Sequence, residues 1–432
     1  MARIEFPYPG IEGVDIPDGN LIAILEPRVA PRAEEDDASE VRRALSSPIG
    51  TPRLRDMAPH GGSVLILIDD NTRNTPADRI LPLLLEELGQ GGVATKDVTI
   101  MIALGTHRPM TREETERKVG RSILDACRVV EHRWDRPEDL VRLDDTEHGT
   151  EVWVNRLLLS SDLVIGLGHI TPHRVAGFSG GAKIVQPGVS GGVTTGQTHW
   201  ISALYDGKDI MGARDNPVRR EMDSVAKAAG LRFIVNVILD RDERIYRCVC
   251  GDPVEAHRAG CAASREIFGV PFGRYADIVV ADSYPADCEL WQAAKGIYSA
   301  DLALAPGGTL VIVTPCPDGV ANGHPELSEL GYLPFREIDE LVREGKIDDL
   351  TLAAHIAHVG RIVLDNGRRG ILVSPGIDRT TTERLHMDYA ATPSEALAMA
   401  FARNGADARV IVVKNGGDLL PVYVPPEGGN AR

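Results

Sequence analysis

Short runs of nearly continuous apolar residues punctuate the chain: 63–68 (SVLILI), 98–104 (VTIMIAL), 163–167 (LVIGL) and 233–239 (FIVNVIL). They lack the strict alternation of a half-wet sheet, so they predict strands buried on both faces, as in parallel sheets. Helical patterns follow, from Pro76 to Leu88, from Thr111, and over 217–229 and 254–268, with further strands at 128–131 and 244–249. The pattern pauses near Pro271-Phe272-Gly273. A second series then begins, with strands at 277–281 (DIVVA), 309–314, 371–374 and 410–413 among helices near 287–295, 337–344 and 393–402. This alternation predicts an α/β protein of two α/β domains with mainly parallel sheets, residues 1–270 and 271–432. A length of 432 residues agrees with two cores. Residues 1–60 read as an entry region: an extended piece at 21–25, an acidic patch from Glu34 to Asp37, then a helix to Leu45.

One stretch breaks the regularity. Residues 166–200 (GLGHITPHRVAGFSGGAKIVQPGVSGGVTTGQTHW) hold three histidines, one lysine and nine glycines with little periodicity. Long irregular segments in compact domains usually carry function, and this one is expected to bind a phosphate-bearing cofactor and to hold a metal. Within it, 177–183 (GFSGGAK) resembles a loop whose backbone N–H groups cradle phosphate. No Ser or Thr follows Lys183, so it is not an ATP P-loop. His169 and His173 have the spacing of a helical metal pair, but Thr171-Pro172 disfavours a helix through them.

Polar residues at the ends of buried strands stand where open α/β sheets place their ligands. After the first strand come Asp69-Asp70-Asn71-Thr72-Arg73-Asn74-Thr75-Pro76. Helix capping explains Asn74 to Pro76 but leaves Asp70 and Arg73 as candidates. His107 follows the second strand, just before a Thr111/Glu114 capping box; alone it reads as a surface residue, and its place beside the strand tip of Asp70 is what makes it a candidate. In the second domain Trp291 and Lys295 share a helix face with Gln292 nearby. The Gln and Lys are placed to reach a carboxylate; otherwise this is an exposed face with Trp291 packing between domains. His132 and His148, in charged surroundings, are expected at the surface.

The formal charge of −16 argues against nucleic acid and anionic membranes as partners. An anionic substrate would need local positive charge. No apolar run reaches 18 residues and the N-terminus lacks signal-peptide blocks, so a cytoplasmic protein without membrane partners is expected. The six cysteines show no CxxC pair. Cys248, Cys250 and Cys261 are read as reduced thiols in preference to metal ligands.

The motifs become specific in combination: Asp-Asp-x-Thr-Arg, Ala-Leu-Gly-Thr-His-Arg-Pro-Met-Thr, His-x-x-x-His-x-x-x-Gly-Phe-Ser-Gly-Gly-Ala-Lys, Thr-His199 and Gln-x-x-Lys. Together, over about residues 60–300, the chain resembles the nickel-dependent lactate racemase family of 2-hydroxyacid racemases and epimerases. The resemblance implies an active site in the interdomain cleft and a nickel-pincer nucleotide, a pyridinium mononucleotide with two sulfur-bearing arms, covalent on Lys183. It makes His199 the protein's nickel ligand, and His107 and His173 the acid/base pair. Asp70 and Arg73 match residues lining the cofactor and substrate site, with Asn71 and Thr72 on the cofactor side. Arg73, Trp291, Gln292 and Lys295 match the substrate side, where Gln292 and Lys295 bind the carboxylate. Trp291 departs from the family's tyrosine, which leaves the substrate open between lactate and another 2-hydroxy acid. Implied partners are a small anionic 2-hydroxy acid and the cofactor-maturation enzymes, with a homo-oligomer possible. Two other readings stand beside this one: a non-catalytic nucleotide- or phosphate-binding protein, and a zinc hydrolase using His169 and His173.

Overall fold

The apolar runs form strands whose alternate side chains enter separate apolar layers. Leu65 and Leu67 of Val64–Asp69 face one layer, Ile66 and Ile68 the other, and all four are fully buried. The computed structural model describes residues 1–29 and 36–426. Val64–Asp69 pairs in parallel with Val98–Ala103 on one side and Leu163–His169 on the other. Arg128–Glu131 extends the first flank, and Leu231–Leu239 the second. Ile245–Gly251 closes that edge antiparallel. The chain thus winds outward from Val64–Asp69 and then restarts beside it at Leu163–His169. Between these two strands the connections diverge, leaving a crevice at their carboxyl ends.

The second sheet is parallel throughout: Asp388–Tyr389, Arg369–Val373, Leu304–Val313, Ala276–Asp282, Val410–Val413 and Leu21–Leu25. Its reversal of direction falls between Ala276–Asp282 and Val410–Val413. The last strand corrects the expected division at residue 270. Leu21–Leu25 pairs with Val410–Val413, and the hairpin Ala2–Ile4/Val14–Ile16 buries Ile4, Val14 and Ile16 beside Val280 and Val311. An uncovered parallel edge is costly, and the N-terminal segment covers it. The expected helix near Leu45 is Asp37–Ser46; Glu34 and Glu35 of the acidic patch lie outside the described residues.

Two helices escaped the sequence pattern. Gly192–Ala203 lies inside the stretch expected to be irregular, and Leu350–Val363 was not foreseen. The first is rich in Gly and Thr, poor helix formers, and it is held by packing against the second. Gly196 permits the approach: a Cβ there would sit 3.2 Å from Leu350 Cβ.

All six cysteines are free, with Cys248, Cys250, Cys261 and Cys316 buried. Among the described residues no helix is long and apolar enough to cross a membrane. His148 is exposed, as expected, but His132 is not a surface residue. It is fully buried, with Nε2–H donating to the Ser190 carbonyl (3.0 Å) and Nδ1 accepting from the Asn155 amide (3.3 Å). Burial pushes its pKa down to about 4, against the opposing pull of the Ser190 carbonyl. The unfolded chain takes up this proton near pH ~6.5, so His132 costs stability as pH falls from there toward 4. The melting temperature should therefore drop over that window. In His132→Asn the drop should shrink, as read by scanning calorimetry; an identical drop would contradict this assignment.

Candidate active site

The carboxyl ends of the two sheets enclose a cavity of about 700 Å³. Loops from both reversal points line it: 69–74 after the first strand, 103–108 after the second, 168–183 after the third, and from the other sheet 285–295 and 417–418. Every candidate from the sequence lies on this wall, including Asn71 and Thr72, which are otherwise exposed. His107, His173, Lys183 and His199 share one cavity.

Asp70 is buried and fully engaged. Its Oδ1 accepts from the Thr72 N–H (3.1 Å) and hydroxyl (2.6 Å), and Oδ2 accepts from His107 Nδ1 (2.7 Å). Burial would raise its pKa, but His107, then Thr72 and Lys118, outweigh it and hold the carboxyl well below the usual range. An ionised Asp70 fixes the His107 proton on Nδ1 and leaves Nε2 with its lone pair. His107, 42% exposed, meets the cavity from one side. Capping holds the base of this loop, since Thr111 and Glu114 form the expected reciprocal box.

His173 sits in the short hairpin Pro172–His173/Gly177–Phe178. Its Nδ1 accepts from the N–H groups of Val175 (3.2 Å) and Ala176 (3.3 Å), which places the neutral ring's proton on Nε2. Burial, then Lys183, Arg73, Lys295 and His199, hold its pKa far below the ordinary value. The hairpin also shows that 177–183 is not an open cradle. A Cβ on Gly177 would lie 2.0 Å from the Ala213 carbonyl oxygen, and the Gly181 N–H donates to Asn236 Oδ1 at 2.7 Å. These glycines serve close packing and a positive φ.

Packing of this loop delivers Lys183 to the cavity with Nζ free of hydrogen bonds and ion pairs among the described residues. Burial, then Arg73, Lys295 and Arg219, drive its pKa well below the ordinary lysine value, which favours the neutral, nucleophilic form of the amine. His199 projects from Gly192–Ala203. Its Nδ1–H donates to the Thr195 carbonyl at 2.8 Å, one turn back, so Nε2 carries the lone pair a metal needs. Burial lowers its pKa to about 4, leaving that site unprotonated at neutral pH. No group of three His, Cys, Asp or Glu side chains suited to a metal exists among the described residues. His169 does not join His173 in a helical pair. It ends the strand Leu163–His169, buried against Phe268, with Nε2 unpartnered.

Across the cavity, Leu290–Asp301 carries Trp291, Gln292 and Lys295. Lys295 makes no ion pair among the described residues; burial, then Arg73, push its pKa down to about 8 despite Asp418 and Cys288. Trp291 is not an interdomain filler. Its indole stacks on His355 (centroids 3.8 Å) and His324 (4.2 Å), which also line the cavity. Sequence reading missed both histidines and His358. The spacing His355-x-x-His358 was the available signal, hidden in a helix that is apolar on nearly every face.

Two domain families match successive parts of the chain. Residues 10–211 match the lactate racemase N-terminal domain family and residues 273–420 the lactate racemase C-terminal domain family. The chain is 30% identical to the lactate racemase of Thermoanaerobacterium thermosaccharolyticum, covering 97% of this chain and 99% of that one. It is 30% identical to that of Lactiplantibacillus plantarum, over 96% and 99%. The structure of the T. thermosaccharolyticum lactate racemase apoprotein superimposes with a TM-score of 0.88 at 29% identity, over 98% of this chain and 100% of that one. A Thermotoga maritima protein shares the fold (TM-score 0.72, 23% identity, 91% and 100% covered). With both halves matched and relatives aligned over nearly their whole length, the chain belongs to the lactate racemase family of isomerases.

Proposed function

We propose that this chain inverts C2 of a 2-hydroxy acid, lactate or a relative of it, using a nickel-pincer nucleotide borne on Lys183 and a pair of histidines. The observation that carries this reading is the state of four side chains in one cavity. Lys183 offers an amine unpartnered among the described residues and shifted toward its neutral form, and His199 a metal-ready Nε2, while His107 and His173 face the same space. These residues fit the cofactor: Lys183 would hold it covalently and His199 would supply the protein's one metal ligand. When bound, the group supplies a carbon able to accept and return a hydride.

A hydride route suits the substrate. The hydrogen on C2 lies beside a carboxylate and is too weakly acidic for a side-chain base at neutral pH, whereas the hydroxyl proton is accessible to imidazole. His107 is set as the base, because Asp70 holds its proton on Nδ1 and steadies the imidazolium that forms. His173 presents Nε2–H to the substrate oxygen, and as the acid it also carries a proton on Nδ1, so that giving up the Nε2 proton leaves a neutral ring. The opposite enantiomer reverses the assignment; in either role Nδ1 is protonated and His173 gives up its two long backbone contacts. Arg73 and Lys295 supply the positive charge that an acidic protein must concentrate for an anion, with Gln292 and Lys295 taking the carboxylate. A cavity walled by both sheets keeps water from the 2-keto acid while it turns. The maturation enzymes that build the cofactor are the protein partners this reading requires.

Protein produced alongside those enzymes should convert single enantiomers of 2-hydroxy acids to their mirror images, followed by chiral chromatography. His107→Ala and His173→Ala should each lower kcat by ~10²–10⁴-fold; full activity in either would remove that residue from the acid/base pair. A pH dependence follows from Lys295. Its ammonium persists below about pH 8 and is lost above it, so KM for the anion should climb from about pH 7 to about pH 9 while kcat changes less. Lys295→Arg, always charged, should flatten the climb. A flat KM in the unaltered protein would contradict the carboxylate role.

A further inference from the structure

The stack on Trp291 is more than packing. His355 reaches it from helix Leu350–Val363, with its ring 13° from the indole plane. Asp349, at the start of that helix, accepts from the N–H groups of Thr351 and Leu352, and its other oxygen holds His324 Nδ1 at 2.9 Å. Both imidazoles are thereby fixed in orientation. His355 is only 6% exposed, its Nδ1 lies 3.4 Å from the Tyr298 hydroxyl, and its Nε2 has no partner among the described residues. A buried, unpaired nitrogen on a cavity wall is disfavoured unless a ligand or an ordered water completes it. Neither proton transfer, metal ligation nor carboxylate binding uses it.

Placement says which part of a ligand it meets. With the carboxylate at Gln292 and Lys295 and C2 between His107 and His173, the remaining substituent faces the adjoining wall of the same helix, formed by Trp291 and the rings stacked on it. The Tyr298 hydroxyl can donate to or accept from His355 Nδ1, so Nε2 can in turn donate to a carboxylate or accept from a hydroxyl. We propose that His355, positioned by Trp291 and His324, is a specificity residue that selects 2-hydroxy acids whose C2 substituent carries an oxygen, over those ending in a bare alkyl group. A methyl or ethyl group would leave Nε2 unpaired, the circumstance in which polar sites discriminate most strongly. This rests on the 2-hydroxyacid reading above.

The test uses the full chain loaded with cofactor, its loading checked as a mass increment on Lys183. Calorimetry measures binding of malate (carboxylate), glycerate (hydroxyl), 2-hydroxybutyrate and lactate (alkyl), and inversion is followed separately. Malate or glycerate should bind about tenfold or more tighter than 2-hydroxybutyrate. Whichever leads identifies the oxygen group. His355→Phe, which keeps the stack, should abolish the preference, and His355→Gln, which keeps a hydrogen-bonding atom, should retain part of it. Equal binding of all four acids, or a ratio unchanged in His355→Phe, overturns the subsite. The two readings fail separately: a binding preference without inversion sinks the racemase reading alone, and inversion without a preference sinks this one alone.

Discussion

Three basic side chains, Arg73, Lys183 and Lys295, converge on one cavity without a hydrogen bond to any carboxylate among the described residues. In a chain of formal charge −16 this is the constraint on which the site depends. The charges repel one another, and with burial they push Lys183 and Lys295 below their ordinary values. Asp70 and Asp418 offset this repulsion only in part, so the site is suited to receive phosphate and carboxylate groups. The one buried carboxylate nearby, Asp70, is committed to Thr72 and His107.

Two sheets make that convergence possible. Each winds outward from one strand and restarts beside it, and the two resulting crevices open onto the same space. Strands rigid on both faces then fix the loops that bear Asp70, His107 and His173, while two packed helices bring His199 and His355 to the same cavity. The Gly196–Leu350 approach couples them. Residues from both halves thus meet at distances that loops alone would not hold.

Much of this was legible in the sequence. A continuous apolar run followed by a polar cluster marks a buried strand and its functional tip, and 63–73, 98–107 and 163–183 all obey the rule. What stayed hidden has physical causes. The acceptor that orients His199 is a backbone carbonyl, which no side-chain pattern reports. His355 lies in a helix buried almost all round, so no amphipathic stripe marks its face. Leu21–Leu25 finds its place beside Val410–Val413, from the far end of the chain, and local periodicity cannot show such a pairing. His132 looked polar because its neighbours in sequence are charged, whereas its neighbours in space are Asn155 and Ser190. The glycines of 177–183 read as a phosphate cradle because sequence shows the freedom of glycine but not what packs against it.

The central claim is that C2 is inverted by removal and return of a hydride, with imidazoles moving only the hydroxyl proton. Loaded protein given a single-enantiomer 2-hydroxy acid deuterated at C2 tests it most directly. The product should be the opposite enantiomer with its deuterium largely retained, read by mass spectrometry after chiral separation. Extensive exchange of that label with solvent would mean that His107 and His173 remove the C2 hydrogen as a proton, and would contradict the account.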